Sequence, residues 1–209
     1  MQRKLSYFRL AWLIFYGFFF FLMLELTLKY IPFSNTVSFL AIKQTEVTTV
    51  RSYLPIFYLH VYTAIFCLLA GFTQFSSSLL ANYKKVHRAI GYIYVISVVC
   101  LSAPSGIFMG YHANGGVFSK ISFVLLGILW IFFTVKALIT AKQGKFKLHR
   151  QFMSRSFALA CSAITLRLWK VILVYLFHPS PMDVYQLIAW LGWVPNLLLV
   201  EYLIRKKQT

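Results

Sequence analysis

The stretch AWLIFYGFFFFLML, residues 11–24, carries no charge over fourteen residues and contains seven aromatic side chains. A helix that crosses the hydrocarbon of a bilayer needs about 20 predominantly apolar residues, and this apolar run extends over about residues 9–30. A basic start followed by an apolar run is also typical of a signal peptide. This run is too long for one, however, and no small-residue cleavage site follows it. The segment is therefore predicted to be an uncleaved transmembrane helix.

Five further segments share this character and account for most of the chain. The sequence is 60% hydrophobic and 12% charged, whereas a soluble domain carries about 25% charged residues. We expect an all-α, polytopic integral membrane bundle that forms a single transmembrane domain over residues 1–209, because no linker divides the chain. The alternating segments of about 10 residues that a membrane barrel needs are absent. The six predicted spans cover approximately residues 9–30, 54–80, 89–110, 117–141, 151–177 and 183–204.

The charges predict how the spans are oriented. The chain has 21 Lys and Arg against four Asp and Glu, a formal net charge of +17. No soluble stretch is long enough to fold as a nucleic-acid-binding module. The basic residues cluster instead at span ends, where they favour the cytoplasmic side and attract anionic lipids, so both termini are predicted to be cytoplasmic. The clusters on that side are Arg3, Lys4 and Arg9; Lys84, Lys85 and Arg88; Lys142, Lys145, Lys147 and Arg150; and Arg205, Lys206 and Lys207.

Two copies of one short motif precede spans three and five, KVHR at residues 85–88 and KLHR at residues 147–150. Each motif lies in the loop of a helical hairpin, and the two hairpins have the same orientation. Spans two to five are therefore predicted to form a duplicated four-helix core, with spans one and six outside it. Small and polar side chains recur at helical spacing on spans two, three and five, which predicts that these faces meet. Gly71, Gly91 and Ala160 would then let the helices approach closely.

Ionisable side chains inside a span need a partner or a function. Glu25, in the outer part of span one, lies at the same depth as two cations of span five, and His60 would form a second polar site nearby. The three cysteines lie singly in apolar segments and support neither a disulfide nor a metal site. The expected intramembrane ion pairs are Glu25 with Arg167 or Lys170, and Arg155 with Glu201.

Three interpretations of the His-Arg pairs remain open. In the first, His87 and His149 are axial ligands of a b-type haem between spans three and five, and Arg88 and Arg150 contact its propionates. The protein would then carry electrons, and the arrangement resembles the four-helix core of the cytochrome b561 group. The outer haem of that group would need a histidine on span four facing His60, and span four has none.

In the second interpretation, the pairs bind an anion. Arginine forms bidentate bonds to phosphate, and a helix N-terminus would add free backbone N–H groups and a favourable dipole. An anionic lipid, its headgroup or a quinone would fit, with histidine as a proton donor. In the third, the pairs only anchor two helices at the membrane interface, as in a scaffold or accessory subunit. No hydrolase arrangement is present, and nothing indicates a stand-alone enzyme.

A known family shares a pattern of residues with this chain. The pattern includes Tyr58 and His60, His87-Arg88 with Gly91 and Tyr94, and HRQFMSRSFALACSAITLRLW at residues 149–169. On these residues the chain resembles a bacterial family of predicted multi-pass membrane proteins, a domain of unknown function, over about residues 55–170. Phe152 stands where such proteins often carry Trp. The resemblance implies the fold but no reaction, and we expect a multi-pass protein of the bacterial inner (plasma) membrane.

Overall fold

The computed structural model describes residues 7–31 and 33–206, and these residues are helical without any strand. Five helix runs are long and apolar enough to cross a membrane, and a bent pair of helices supplies a sixth. The predicted all-helical, polytopic membrane fold is confirmed. The basic residues Arg3, Lys4 and Lys207 lie outside the described residues. The five candidate spans are Leu10–Leu28, Tyr53–Gln74, Lys84–Tyr111, Gly116–Lys142 and Pro181–Lys206, and the bent pair Phe146–Ala160 with Ser162–Phe177 passes the same test together and is counted below as span five.

Helix α1 (Tyr7–Leu28) is followed by a folded connection rather than an open loop. The connection contains a 3-10 helix (Ser38–Ile42) and helix α2 (Gln44–Thr49). Its side chains pack onto the end of span two in a small apolar cluster of their own, in which Leu40 is fully buried. The backbone N–H of Phe39 donates to the hydroxyl of a tyrosine at the end of span one, at 3.3 Å. The connection therefore covers one end of the helical bundle.

Lys43 fixes this connection in place. Its side chain is 1% exposed, and its ammonium donates to Oε1 of Glu46 at 2.6 Å. It also donates to the carbonyl of His112 and to Oδ1 of Asn114, each at 2.5 Å. Burial alone would raise the pKa of Glu46, but the hydrogen bond and charge of Lys43 outweigh it, so this pKa is lowered. The sequence gives no sign of this link between the connection and the loop joining spans three and four.

The predicted second span is too long at its C-terminal end. Helices α3 (Tyr53–Leu69) and α4 (Gly71–Gln74) form the span, and α5 (Ser77–Asn82) is a separate helix. Oγ of Ser76 accepts a hydrogen bond from the N–H of Leu79 at 3.3 Å. This contact is an N-cap, which requires an extended backbone at the capping residue and so separates α5 from the span.

Span three changes its helical geometry half-way along. Helix α6 (Lys84–Ile96) continues into a π-helical turn (Ser97–Ser102) and then into α7 (Ala103–Tyr111). Pro104 explains the change, because it has no N–H to donate and its ring clashes with the carbonyl of Cys100, four residues earlier. Wide turns of this kind occur often at functional sites.

Span five is bent where the sequence predicts one continuous helix. After the straight helix α8 (Gly116–Lys142), helices α9 (Phe146–Ala160) and α10 (Ser162–Phe177) meet at an angle of 42°. Oγ1 of Thr165 donates to the carbonyl of Cys161 at 3.1 Å, and a threonine that bonds back one turn tends to bend its helix.

Span six supports this bend. It consists of α11 (Pro181–Leu191) and α12 (Val194–Lys206). Nδ2 of Asn196 donates to the carbonyl of Ala158 at 3.2 Å and to Oγ1 of Thr165 at 2.9 Å. The amide therefore satisfies polar groups on both sides of the break, in a region where water cannot do so.

Spans two to five pack around a common core, and spans one and six lie against its outside. Helix α1 contacts α3 and α10, while α11 and α12 contact α8 and α9. In the core, Oγ of Ser156 lies 2.7 Å from both the hydroxyl of Tyr94 and Oγ1 of Thr134. A Cβ on Gly71 would lie 2.2 Å from the ring of Phe157, so this glycine permits close contact between spans two and five. The predicted meeting of the polar, small-residue faces is confirmed for these residues.

Candidate functional site

The two His-Arg motifs occupy equivalent places in their helices. His87 and His149 each lie three residues after the first residue of α6 and α9. Their backbone N–H groups already donate to the carbonyls of Tyr83 and Lys145, at 3.1 and 2.9 Å. The expectation that the pairs meet free N–H groups at a helix N-terminus is therefore wrong, because each helix begins about one turn earlier than predicted.

The side chains of His87 and His149 have different partners. Nδ1 of His149 donates to the carbonyl of Ala137 at 2.9 Å, which leaves its Nε2 available. Nδ1 of His87 is buried without a hydrogen-bond partner in the described part of the chain, and Gln74 donates to the His87 carbonyl at 3.2 Å. Spans three and five thus carry the two predicted haem ligands at equivalent positions of their helices.

Arg150 lies at a different place from these imidazoles. It lines a cavity of about 670 Å³ between the start of α9 and the end of α12. Arg88, the equivalent residue of the first motif, is exposed and does not line this cavity. Of the four predicted residues, Arg150 lines this cavity and His87, Arg88 and His149 do not. Helix α9 lines the cavity with Phe146 and with the polar side chains of Lys147, Arg150, Gln151 and Ser154, and α12 lines it with the apolar Val200, Leu203 and Ile204.

Arg155 and Glu201 form the ion pair that the sequence predicts. Nη2 of Arg155 donates to Oε2 of Glu201 at 3.0 Å, and Nε donates to the second carboxylate oxygen. The two side chains are 16% and 31% exposed. The guanidinium also lies over the ring of Phe152, 5.3 Å from its centre. The aromatic residue at position 152 thus adds a cation–π contact to the link between spans five and six.

The second predicted ion pair is wrong. Glu25 lies 3.1 Å from Nζ of Lys29, and both side chains are 52% exposed. A lysine one turn along the same helix reaches the carboxylate more readily than a cation on span five. Lys170 is exposed, and Nη1 of Arg167 donates instead to the carbonyl of Ala163 at 2.6 Å.

His60 lies in a polar cluster between spans two and three. Its Nδ1 donates to the carbonyl of Ser102 at 2.8 Å and lies 3.3 Å from Oγ of Ser105. Oγ of Ser102 donates to Oγ1 of Thr63 at 2.9 Å. Ser105 falls on the helical stripe that the sequence marks, whereas Ser102 reaches the cluster through the π-helical turn. Pro104 is the sequence signal that could have revealed this shift.

A family model matches residues 57–204, and the family is described as "Predicted membrane protein (DUF2306)". The chain belongs to this family. The matched region includes both His-Arg motifs, His60 and all residues that line the cavity. No curated protein and no solved structure matches the chain. The resemblance to an uncharacterised family of membrane proteins is confirmed, and the likeness to the cytochrome b561 group stays a hypothesis.

Proposed function

We propose that this membrane protein binds an anionic phospholipid in the cavity between α9 and α12. The lining of the cavity is the observation that carries the proposal. Lys147 and Arg150 provide positive charge, and Val200, Leu203 and Ile204 provide an apolar wall. A phospholipid has the same division, with an anionic headgroup joined to acyl chains, so its two parts fit the two sides of the cavity.

The chemistry of the polar side favours a phosphate. A guanidinium can form two parallel hydrogen bonds to one phosphate group, and a lysine adds a mobile positive charge. The neighbouring Gln151 and Ser154 add further donors, and none of the lining residues is acidic. The cavity lies at a span end, which is the depth at which headgroups are found.

The charge distribution supports an orientation for this site. The described loops around Lys84 and Lys142 lie on the cavity side of the bundle, and these clusters favour the cytoplasmic side. We infer that the protein lies in the bacterial inner membrane with the cavity toward the cytoplasmic leaflet. The equal positions of His87 and His149 in their helices also support a duplicated core. Fluorescence from a C-terminal reporter that matures only in the cytoplasm would test the orientation, and a dark fusion would contradict it.

Native mass spectrometry of the full-length protein tests the lipid site. Wild-type protein is titrated with phosphatidylglycerol and, separately, with the zwitterionic phosphatidylcholine. We expect preferential retention of phosphatidylglycerol. Arg150→Gln should weaken its binding about tenfold, because one charge-assisted contact to the phosphate is lost.

Arg88→Gln is the matched control. It makes the same change at the equivalent position of the other motif, where the side chain is exposed and lines no part of the cavity. Phosphatidylglycerol binding should be unchanged in this variant. Equal weakening by both substitutions would mean that the basic face attracts anionic lipids without a defined site. No weakening by either would leave the motifs as helix anchors of a scaffold.

A b-type haem is the second candidate, because His87 and His149 lie at equivalent positions of spans three and five. The Nδ1 of His149 donates to a backbone carbonyl at 2.9 Å, and metal-ligating histidines are commonly oriented in this way. In residues 7–31 and 33–206, no group of three or more His, Cys, Asp and Glu could hold a metal ion, whereas a haem needs only two axial ligands. Bound haem would supply one-electron redox chemistry, and His149 would hold it through Nε2.

An absorption spectrum separates this candidate from the lipid site. Protein purified from cells supplied with a haem precursor should show a Soret band and, after reduction, an alpha band. Both bands should disappear in His149→Ala. A colourless wild-type protein that also fails to bind added hemin would exclude haem, without affecting the lipid proposal.

A further inference from the structure

The polar residues of the cavity follow one face of α9 from the start of the helix inward. Their spacings of three, one and three residues place them on one side of the helix. They are Lys147, Arg150, Gln151 and Ser154. Lys147 and Arg150 are exposed, whereas Gln151 and Ser154 are half-buried. Because Ser154 comes seven residues after Lys147, the row extends about 10 Å along the helix axis.

Ser154 presents its hydroxyl to the cavity and away from the core. Ser156, two residues later, is 0% exposed, and its Oγ lies 2.7 Å from the hydroxyl of Tyr94 and from Oγ1 of Thr134. Two residues turn an α-helix by about 200°, so Ser154 lies on the opposite face. Its Oγ has no hydrogen-bond partner among the described residues and is not a buried atom. The hydroxyl can therefore donate to a group inside the cavity.

Ser154 lies deeper than the phosphate that Lys147 and Arg150 would hold. Helical side chains lean toward the N-terminus of their helix, so these two long side chains extend toward the membrane surface. Ser154 is four residues after Arg150, about 6 Å further along the axis, and its side chain is short. The headgroup layer is about 5–7 Å thick on each side of the hydrocarbon, and the ester groups of a phospholipid form its inner edge. A phosphate bound to Arg150 therefore places the ester carbonyls at the level of Ser154.

The opposite wall offers no other donor at this depth. Ser154 lies eight residues after the start of α9, and Val200 lies six residues before the end of α12. These distances correspond to about 12 Å and about 9 Å from the same end of the bundle. The side chains that α12 contributes cannot form hydrogen bonds; they are Val200, Leu203 and Ile204. Ser154 is therefore the deepest hydrogen-bond donor in the lining of the cavity.

We propose that Ser154 donates a hydrogen bond to an ester carbonyl of the bound phospholipid, so that the site selects diester lipids over diether lipids. This inference rests on the phospholipid site proposed above and adds the linkage chemistry to the recognition of the phosphate. An ether linkage has no carbonyl oxygen, so a diether lipid leaves the hydroxyl without this acceptor. The charge contact with Arg150 is the same for both lipids.

Native mass spectrometry of the full-length protein tests the selection. Wild-type protein is titrated with dioleoyl phosphatidylglycerol and, separately, with the diether analogue that has the same headgroup and the same chains. We expect the diester to bind about fivefold more tightly, which is the effect of one hydrogen bond. Ser154→Ala should bind both lipids equally, with the affinity that wild type has for the diether.

Three further variants serve as controls. Ser162→Ala makes the same change at a serine of span five that does not line the cavity, and it should keep the preference for the diester. Ser154→Thr retains a hydroxyl and should also keep it. Arg150→Gln should weaken the binding of both lipids by the same factor, because the phosphate is common to them.

Each outcome of these titrations decides the inference. Equal binding of the two lipids by wild type, or an unchanged preference in Ser154→Ala, would overturn it. If Arg150→Gln still weakens the binding of both lipids in that case, the phospholipid site stands without the ester contact. A wild-type protein that retains phosphatidylglycerol no better than phosphatidylcholine would overturn the phospholipid site and this inference with it.

Discussion

The two ends of the helical bundle treat their cations in opposite ways. At one end, Lys43 is 1% exposed and donates to three oxygen atoms of the chain. At the other, Arg150 is exposed, lines an open cavity and forms no ion pair within the described residues. Lys43 is therefore paired within the fold, whereas Arg150 lies at the cavity where we propose that a phospholipid binds.

The difference between Lys43 and Arg150 distinguishes a cation that stabilises the fold from a cation that is accessible to a ligand. A buried ammonium with a complete set of acceptors holds two segments together, and its loss leaves those acceptors unpaired. An exposed guanidinium contributes little to folding stability. Stability therefore does not explain why Arg150 lies beside the apolar residues of the cavity. Span five contains the same contrast on a smaller scale, since Arg155 has a carboxylate partner and Arg167 has none.

Lys43→Met should have the largest effect on stability. The change leaves Glu46 without its counter-charge and the His112 carbonyl without a donor. Breaking a buried ion pair costs about 3–5 kcal/mol. Denaturant titration in detergent micelles, followed by tryptophan fluorescence, measures this loss. Lys29→Met is the control, because its pair with Glu25 is half exposed and should cost less than about 1 kcal/mol. Equal losses in both variants would contradict the comparison.

Glu201→Gln should have the next largest effect. Arg155 loses its counter-charge, and the single amide oxygen of glutamine can replace only one of the two hydrogen bonds, beside the contacts with the rings of Phe133 and Phe152. Because the two side chains are partly exposed, we expect a loss of about 2 kcal/mol, below the range of a fully buried pair. The same titration measures it. A change below about 0.5 kcal/mol would show that the pair is no more than a surface contact.

The sequence predicts more about the region around the Arg155–Glu201 pair than about the folded connection between spans one and two. Span positions follow from apolar length, and the Arg155–Glu201 pair follows from matching depth on neighbouring spans. The same reasoning from depth gives the wrong partner for Glu25. Matching depth does not exclude Lys29, which lies one turn away on the same helix. Three further features depend on packing between elements that are distant in the chain. These are the burial of Lys43, the bend at Cys161 and the separation of Arg150 from His149.

Acid should weaken the connection at the Lys43 end. The pKa of Glu46 is lowered in the folded protein, chiefly by Lys43 acting against burial. Its contribution to stability is therefore complete above the ordinary pKa of 4.5 and is lost as the pH falls through the lowered value. The free energy of unfolding should fall as the pH drops below 4.5 and through the lowered pKa of Glu46, and more steeply than in Glu46→Gln. The effect should be smaller than that of Lys43→Met, since the two uncharged acceptors keep their donor. Parallel curves of unfolding free energy against pH for wild type and Glu46→Gln would contradict this prediction.

Arg150→Gln should have the smallest effect on stability. It therefore tests most directly whether the two ends of the bundle use their cations differently. The side chain is exposed and has no carboxylate partner in the described part of the chain, so its removal should change the free energy of unfolding by less than about 0.5 kcal/mol. Adding phosphatidylglycerol should raise the stability of wild type, because a ligand that binds only the folded state stabilises it. That increase should be reduced in Arg150→Gln and retained in Arg88→Gln. A variant that is destabilised without lipid, yet gains as much from lipid as wild type, would mean that Arg150 belongs with Lys43 as part of the fold.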